Sequence, residues 1–474
     1  MVRRSGSTAL LAAATALSCS LLTAGGASAA PAAAAASGWG RVMAVPGLAA
    51  LSQGGGDAVL SVSCWQSGDC VAVGSYTDAG HRGQAFLVTE KGGRWGQAAQ
   101  VPGTAALNLG GSARANAISC APGGDCALGG VYSDRAGRQQ IFVASEQNGR
   151  WGRAEEVPGS ARLNVGGLAS FQTVSCARGG SCAAGGFYQG YNPPGTGYNA
   201  SVAYVVSSKD GRWGKAQTVP GILALSAPGY PDTATDSVDC LRAGDCTAGG
   251  YYYGDGFGSV HAFVLSESGG HWAAHVVALK TTGSGVNAIS CLSAGNCVAG
   301  GSGFLVTQTR GKWSKPLKGS GIPGVNSLSC PAAGDCTAGG LIGYDPSGQP
   351  EGAFILSSRH GRWGKVYDVP GVAAGGSISS LWCAAPGDCA AGGSYVAGID
   401  NNGSGDLFYS AFVMSERNGR WTRSQVPAGL AALNAPDGNA GINAVSCGWP
   451  NHCLAGGSYT DGAGSSVAFL LSEP

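Results

Sequence analysis

The sequence predicts an all-β fold: a single eight-bladed β-propeller of four-stranded blades with one local disulfide per blade. The ring is expected to close by an N-terminal strand that completes the last blade. Three observations predict this. The pair C-x5-C occurs eight times. Each pair sits in the same pattern of short apolar strands and turn residues. The two ends of the repeat region carry complementary pieces of one repeat.

The cysteines come first. Of the 17 cysteines, one lies near the N-terminus and the rest form the pairs Cys64/Cys70, Cys120/Cys126, Cys176/Cys182, Cys240/Cys246, Cys291/Cys297, Cys330/Cys336, Cys383/Cys389 and Cys447/Cys453. A metal site would want closer pairs, such as C-x2-C, with histidine or a second pair nearby. Here every pair stands alone, so no metal and no cofactor is expected. The intervening residues, such as Ser67-Gly68-Asp69 and Ala294-Gly295-Asn296, suit a tight turn between two strands. A disulfide across each turn is therefore expected, each closing a very short loop and contributing at most about 2 kcal/mol.

The repeat reads in four steps. One strand ends in a motif such as Ala117-Ile118-Ser119-Cys120, and a second follows the turn, as in Cys126 to Tyr132. A variable loop leads to a third strand such as Ala262 to Glu267. A turn such as Asn148-Gly149 then opens a fourth strand at Arg150-Trp151, which runs to Val157-Pro158-Gly159. First cysteines are spaced by 56, 56, 64, 51, 39, 53 and 64 residues. In the fifth repeat Gly300-Gly301-Ser302-Gly303 runs straight into Phe304, which leaves a seven-bladed count open.

The ends predict closure. Gly38-Trp39-Gly40-Arg41 opens a fourth strand with no first three before it, and Val467 to Glu473 is a third strand with no fourth after it. Residues 39–45 are expected to pair with residues 467–473, hiding both edges.

Composition sets the address and trims the list of partners. Arg3 and Arg4, the apolar run Ala9 to Leu22 and Ala27-Ser28-Ala29 read as a secretory signal over residues 1–29. Residues 30–37 read as an Ala-rich tether and residues 38–474 as the propeller. Lipid anchoring at Cys19 is disfavoured, because Leu is missing from the third position upstream. No further apolar run is long enough to span a membrane. Charged residues are 12% of the chain and the net charge is +1, which gives nucleic acid and anionic lipid no basic field to bind. A secreted monomer that binds an extracellular glycan or protein without catalysis is the expectation, with an envelope-associated scaffold and a polysaccharide hydrolase or lyase as the alternatives.

With its S-[VIL]-S-C-x5-C-x-A-x-G motifs over residues 39–474, the chain resembles secreted tandem-repeat propeller proteins of high-GC Gram-positive bacteria. The resemblance implies a fold and an extracellular location, with no established activity attached. The Trp-Asp dipeptide of the best-known propellers and the S-x-D-x-G-x-T-W box of sialidase-like ones are absent.

Function should show where the repeat is broken. Trp39, Trp95, Trp151, Trp213, Trp272, Trp313, Trp363 and Trp421 recur once per repeat and read as packing between blades. The third-strand acids Glu90, Glu146, Glu267, Glu416 and Glu473 read as turn chemistry. No nucleophile stands out beside the six histidines, so no catalytic residue is assigned. Two sets do depart from the repeat. Loops after the second strand carry Tyr188, Tyr191, Asn192 and Tyr198 in the third repeat, with Tyr252, Asp255 and Phe257 in the fourth. Tyr230 precedes the fourth repeat, and Phe408 and Tyr409 lie in the seventh. Their aromatic and hydrogen-bonding side chains suit a sugar or protein ligand, or simple packing on the blade edge. The second set is Trp65, Trp382 and Trp449, in the first, seventh and eighth repeats, which closure makes neighbours. They suit a binding patch on the opposite face, or closure packing. Seven repeats also keep Ser or Asp just before the first cysteine, and Trp382 is the exception.

Overall fold

The computed structural model describes residues 38–191, 199–227, 231–254, 259–281, 283–317, 322–344, 351–372, 375–399 and 406–473, with the side chain of Tyr191 outside that description. Eight antiparallel blades are present, each ordered first, second, third, fourth strand. The first strands are Ala58–Gln66, Ala113–Cys120, Ala169–Ala177, Thr233–Arg242, Ala288–Ser293, Gly324–Ala332, Ser377–Ala385 and Ala440–Trp449. Neighbouring first strands pack against one another all the way around, the last against the first. They therefore line the axis, and the Trp-bearing fourth strands form the rim.

The ring closes as the sequence predicts. Met43 and Ala44 pair with Leu470 and Phe469, and Gly40 N–H donates to the Ser472 carbonyl at 2.9 Å. The fifth repeat is a full blade, shortened to six-residue strands with a tight Ser302-Gly303 turn.

All eight expected disulfides are formed, and all are local. Cys64 bonds to Cys70, Cys120 to Cys126, Cys176 to Cys182 and Cys240 to Cys246. Cys291 bonds to Cys297, Cys330 to Cys336, Cys383 to Cys389 and Cys447 to Cys453. Their Cα–Cα distances are 3.9–4.1 Å. Every one of these cysteines except Cys120 is buried. Cys70 lies in the apolar cluster around blade 1, and Cys182 and Cys246 lie in the one spanning blades 2 to 4. Cys389 and Cys453 lie in the clusters around blades 7 and 8. The reason is strand alternation, which turns the paired cysteines toward the neighbouring blade. Their sulfurs are packing material as well as cross-links, and they offer no surface to a ligand.

Two features depart from the sequence reading. The fourth strand is usually broken, as in Arg94–Trp95 followed by Ala99–Gln100. In five connections the Val-Pro-Gly type of segment also leads into a single helical turn, such as Thr104–Leu107 after left-handed Gly103 at φ 88. Four residues are too few for a helical period to register in a sequence.

A shared bulge explains the second-strand glycines. In blade 2 the first strand shifts register between Ala115 and Ala117. A side chain at Gly130 would then meet the Arg114 carbonyl oxygen at 2.0 Å. Gly250 faces the Ala234 carbonyl at 1.9 Å and Gly457 the Gly441 carbonyl at 1.9 Å in the same way. Only a residue without Cβ fits there. The preceding glycine receives the next blade's side chain, as Gly129 receives the Phe171 ring.

The bare edge of each first strand has its own solution. The closely spaced cysteine pair is the non-hydrogen-bonded kind, so the N–H of the first cysteine points away from its partner strand. The preceding blade caps it. Cys120, Cys176 and Cys240 N–H donate to Ser63, Ser119 and Ser175 Oγ at 2.9, 3.0 and 3.0 Å. Cys291 N–H donates to Asp239 Oδ2 at 2.6 Å. Cys330, Cys383 and Cys64 N–H donate to Ser290, Ser329 and Ser446 Oγ at 3.0, 3.1 and 3.0 Å. A second layer, two residues earlier, uses Ser61, Thr173, Ser237, Ser327 and Ser380. This girdle satisfies an edge that would otherwise offer open donors around the axis.

Candidate functional site

The two faces of the ring are built differently. On one, the disulfide turn and the third-to-fourth turn of a blade are joined, as where Gly93 N–H donates to the Gly68 carbonyl at 2.9 Å. Asp69 accepts from Gly92 N–H at 2.6 Å, Asp245 from Gly269 N–H at 3.1 Å and Asp335 from His360 N–H at 2.9 Å. The acid before the second cysteine thus caps the neighbouring turn, whose two central residues take positive φ, as at Gly92 and Gly93 or His360 and Gly361. The opposite face carries the second-to-third loops and the blade-to-blade connections.

The described members of the tyrosine-rich set, Tyr188, Tyr252, Phe408 and Tyr409, lie toward that opposite face and are engaged in packing. Tyr188 is buried, and its hydroxyl meets Thr218 Oγ1. Tyr252 is buried and stacks on His261 with centroids 5.4 Å apart. Both belong to one hydrophobic cluster spanning blades 2 to 4. Phe408 and Tyr409 are half-buried in the third strand of blade 7, where the Phe408 ring covers Gly398. Asn192, Tyr198, Tyr230, Asp255 and Phe257 lie outside the described residues, as does the side chain of Tyr191.

The tryptophan set lies on the disulfide-turn side, on three consecutive blades. Trp449, in the turn region of blade 8, is 65% exposed, and Trp382, on the first strand of blade 7, is 45% exposed. Trp65 of blade 1 is half-buried and covers Gly124 of blade 2. The turns of blades 8 and 1 touch where Gly448 meets the Gln66 carbonyl. Beside Trp65 opens a cleft of about 380 Å³ whose polar wall includes Gln66, Asp69, Lys91, Asp125 and Asn148. An indole wall with amide, carboxylate and ammonium groups opposite is suited to a polyhydroxyl ligand.

Three of the repeated tryptophans, by contrast, tie blades together through their indole N–H. Trp213, Trp272 and Trp39 Nε1–H donate to Ser145, Ser207 and Ser415 Oγ of the preceding blade at 3.1, 2.9 and 3.0 Å. Ser207 and Ser415 hydroxyls in turn donate to Glu267 and Glu473 at 2.6 and 2.7 Å. Glu267 and Glu473 therefore join a buried relay between blades, a role beyond the turn chemistry their sequence position suggests. Burial pushes the carboxyls of Glu146, Glu267 and Glu416 above the usual range.

The sequence reading singled out no acid pair, yet Asp236 and Asp239 share the axis-lining first strand of blade 4. Burial raises Asp236 to about 7. It raises Asp239 to about 6, against the lowering effect of the hydrogen bonds from Cys291 N–H and Ser175. Their neighbours are polar. Once the Gln172 amide is oriented to satisfy its surroundings, it donates to Asp236 Oδ1 at 2.5 Å. Among the described residues, no three metal-ligating side chains converge.

No protein-family profile matches the chain, and no curated protein matches it in sequence. Several solved structures are similar in fold. An ulvan lyase, a polysaccharide lyase, is 10% identical over 91% of this chain and 96% of its own, with a TM-score of 0.47. The Hadza microbial sialidase is 10% identical over 82% of this chain and 72% of its own, with a TM-score of 0.39. The propeller domain of the Trilobed protease from Pyrococcus furiosus is 6% identical over 87% of this chain and 95% of its own, with a TM-score of 0.40. At these identities the likeness concerns the fold.

Proposed function

We propose that this propeller is an extracellular, non-catalytic binding module that recognises a glycan on its disulfide-turn face. The observation that carries the reading is the exposure of Trp382 and Trp449 on adjacent blades, on the same face as the Trp65 cleft of the next blade. Large exposed indoles are costly on a secreted surface unless a ligand covers them. Eight disulfides fit an oxidising, extracellular compartment. No helix among the described residues is long and apolar enough to cross a membrane.

The test is ligand-linked stability. A soluble oligosaccharide that binds the folded ring raises its unfolding midpoint in proportion to the logarithm of concentration. A protein partner or a spacer role in the envelope would leave the midpoint unmoved by every sugar tried.

A second reading, a polysaccharide hydrolase or lyase, is favoured by Asp236 and Asp239. Two carboxyls with raised proton affinities on one axis-lining strand can supply acid and base roles. Turnover of a polysaccharide that disappears in both Asp236→Asn and Asp239→Ser would establish it.

A further inference from the structure

The cysteine layer of the girdle has one break among the described residues, whereas the second layer lacks a hydroxyl where Ala117, Ala288 and Ala444 stand. In the seam between blades 7 and 8, Trp382 stands where seven other blades place a hydroxyl or carboxylate. Cys447 N–H, which points to the open edge by the same geometry as its seven counterparts, lacks the side-chain cap that they receive among the described residues. The residue is 5% exposed, so an uncapped donor there carries the penalty of an unmet buried hydrogen bond unless something reaches it. The seam itself is intact one layer away, where Val445 N–H donates to Ser380 Oγ at 2.9 Å. Closure therefore does not require the substitution.

We propose that this break is a ligand subsite, in which a ring-shaped neutral sugar lies against the Trp382 indole and presents an acceptor oxygen to Cys447 N–H. The inference rests on the glycan reading above and deepens it. Exposed Trp449 follows Cys447 by two residues in the same blade and extends the aromatic surface outward. The other residues at this level of the ring are six serines and Asp239. With no cation in that layer and one carboxyl, a polyanion is disfavoured. An N-acetylated hexosamine chain fits: its acetamide carbonyl is a strong neutral acceptor, and its pyranose face is apolar enough to cover an indole.

The experiment compares the full mature chain with W382S, which restores the girdle residue used elsewhere. The probe is the β-1,4-linked hexamer of N-acetylglucosamine, with cellohexaose as the analogue lacking the acetamide, both measured by calorimetry. The expected result is at least tenfold weaker hexamer binding in W382S, with an unfolding midpoint equal to or above wild type. Cellohexaose is expected to bind wild type at least tenfold more weakly than the hexamer. Unchanged binding in W382S would overturn the subsite while leaving the face reading to Trp65 and Trp449. A W382S protein that loses its fold or its midpoint would overturn it too, by making the indole structural. A folded wild type that ignores the hexamer also overturns it, and a hit with another sugar would show that the glycan reading survives.

Discussion

Ser446 and Cys64 lie 382 residues apart, yet the Cys64 N–H donates to Ser446 Oγ at 3.0 Å. This bond joins the last blade to the first with the geometry that joins every other neighbouring pair but one. Ring closure thus uses the repeat's own chemistry at the axis, in addition to the N-terminal strand at the rim.

Replacing Ser446 with Ala leaves a donor on a buried edge without its partner. A loss of about 1 to 3 kcal/mol in unfolding free energy is expected, measured by denaturant titration. Ser119→Ala should cost about as much, since the two bonds are equivalent. A neutral effect at both sites would mean that solvent serves the edge equally well.

Gly250→Ala tests the bulge. The new Cβ would stand 1.9 Å from the Ala234 carbonyl oxygen, so the first strand of blade 4 must shift. A loss of roughly 1 to 3 kcal/mol or more is expected, against a much smaller effect at Gly137, where nothing lies within 4 Å and only the left-handed backbone resists.

Stability should fall as the medium becomes more alkaline through the neutral range. Asp236 and Asp239 hold their protons in the fold to about 7 and about 6, from an ordinary value of 3.8. The folded state therefore binds more protons than the unfolded chain between about pH 4 and 7, and unfolding free energy decreases as pH rises through that window. Burial shifts Glu146, Glu267 and Glu416 in the same sense. A total loss on the order of 1 to 2 kcal/mol between about pH 5 and 8 is expected, limited by water that screens the axial groups. Asp239→Ser supplies the girdle's usual acceptor without the charge, so it should flatten the profile and stabilise the protein at about pH 8.

The covalent staples give a fourth expectation. Replacing Cys120 and Cys126 together with Ala should lower stability by about 2 kcal/mol, while the remaining blades keep their spectra. Such a small effect follows from the short loop that each bridge closes. The pair Cys176 and Cys182 is the contrasting case, because both residues are buried in the cluster of blades 2 to 4, whereas Cys120 is only half-buried against the cluster that holds Cys126. Its replacement by Ala should cost more than the first pair does, since packing is lost along with the cross-link.

Much of this architecture was legible because the repeat serves as its own alignment. Recurring cysteines fixed the hairpins, and the orphan strands at Trp39 and Leu470 disclosed the closure. What could not be read were relationships between blades. Nothing local says that Ser119 caps Cys176, or that a carbonyl occupies the space beside Gly130. The tyrosines show the same limit. Tyr188 and Tyr252 follow the glycine pair like loop residues, but their strands extend to Tyr191 and Tyr253, so both side chains fall on the packed face. Asp236 and Asp239 looked like ordinary strand acids until the axis placed them among other first strands. Trp382 and Trp449, visible only as exceptions, proved to be the exposed ones.

A glycan-array scan of the oxidised propeller, residues 38–474, run beside a Trp382→Ser, Trp449→Ala double variant, tests the central claim most directly. The account predicts a reproducible hit among N-acetylated polysaccharides that disappears in the folded double variant. A hit that survives both substitutions, or a blank array from protein shown to be folded, would contradict it.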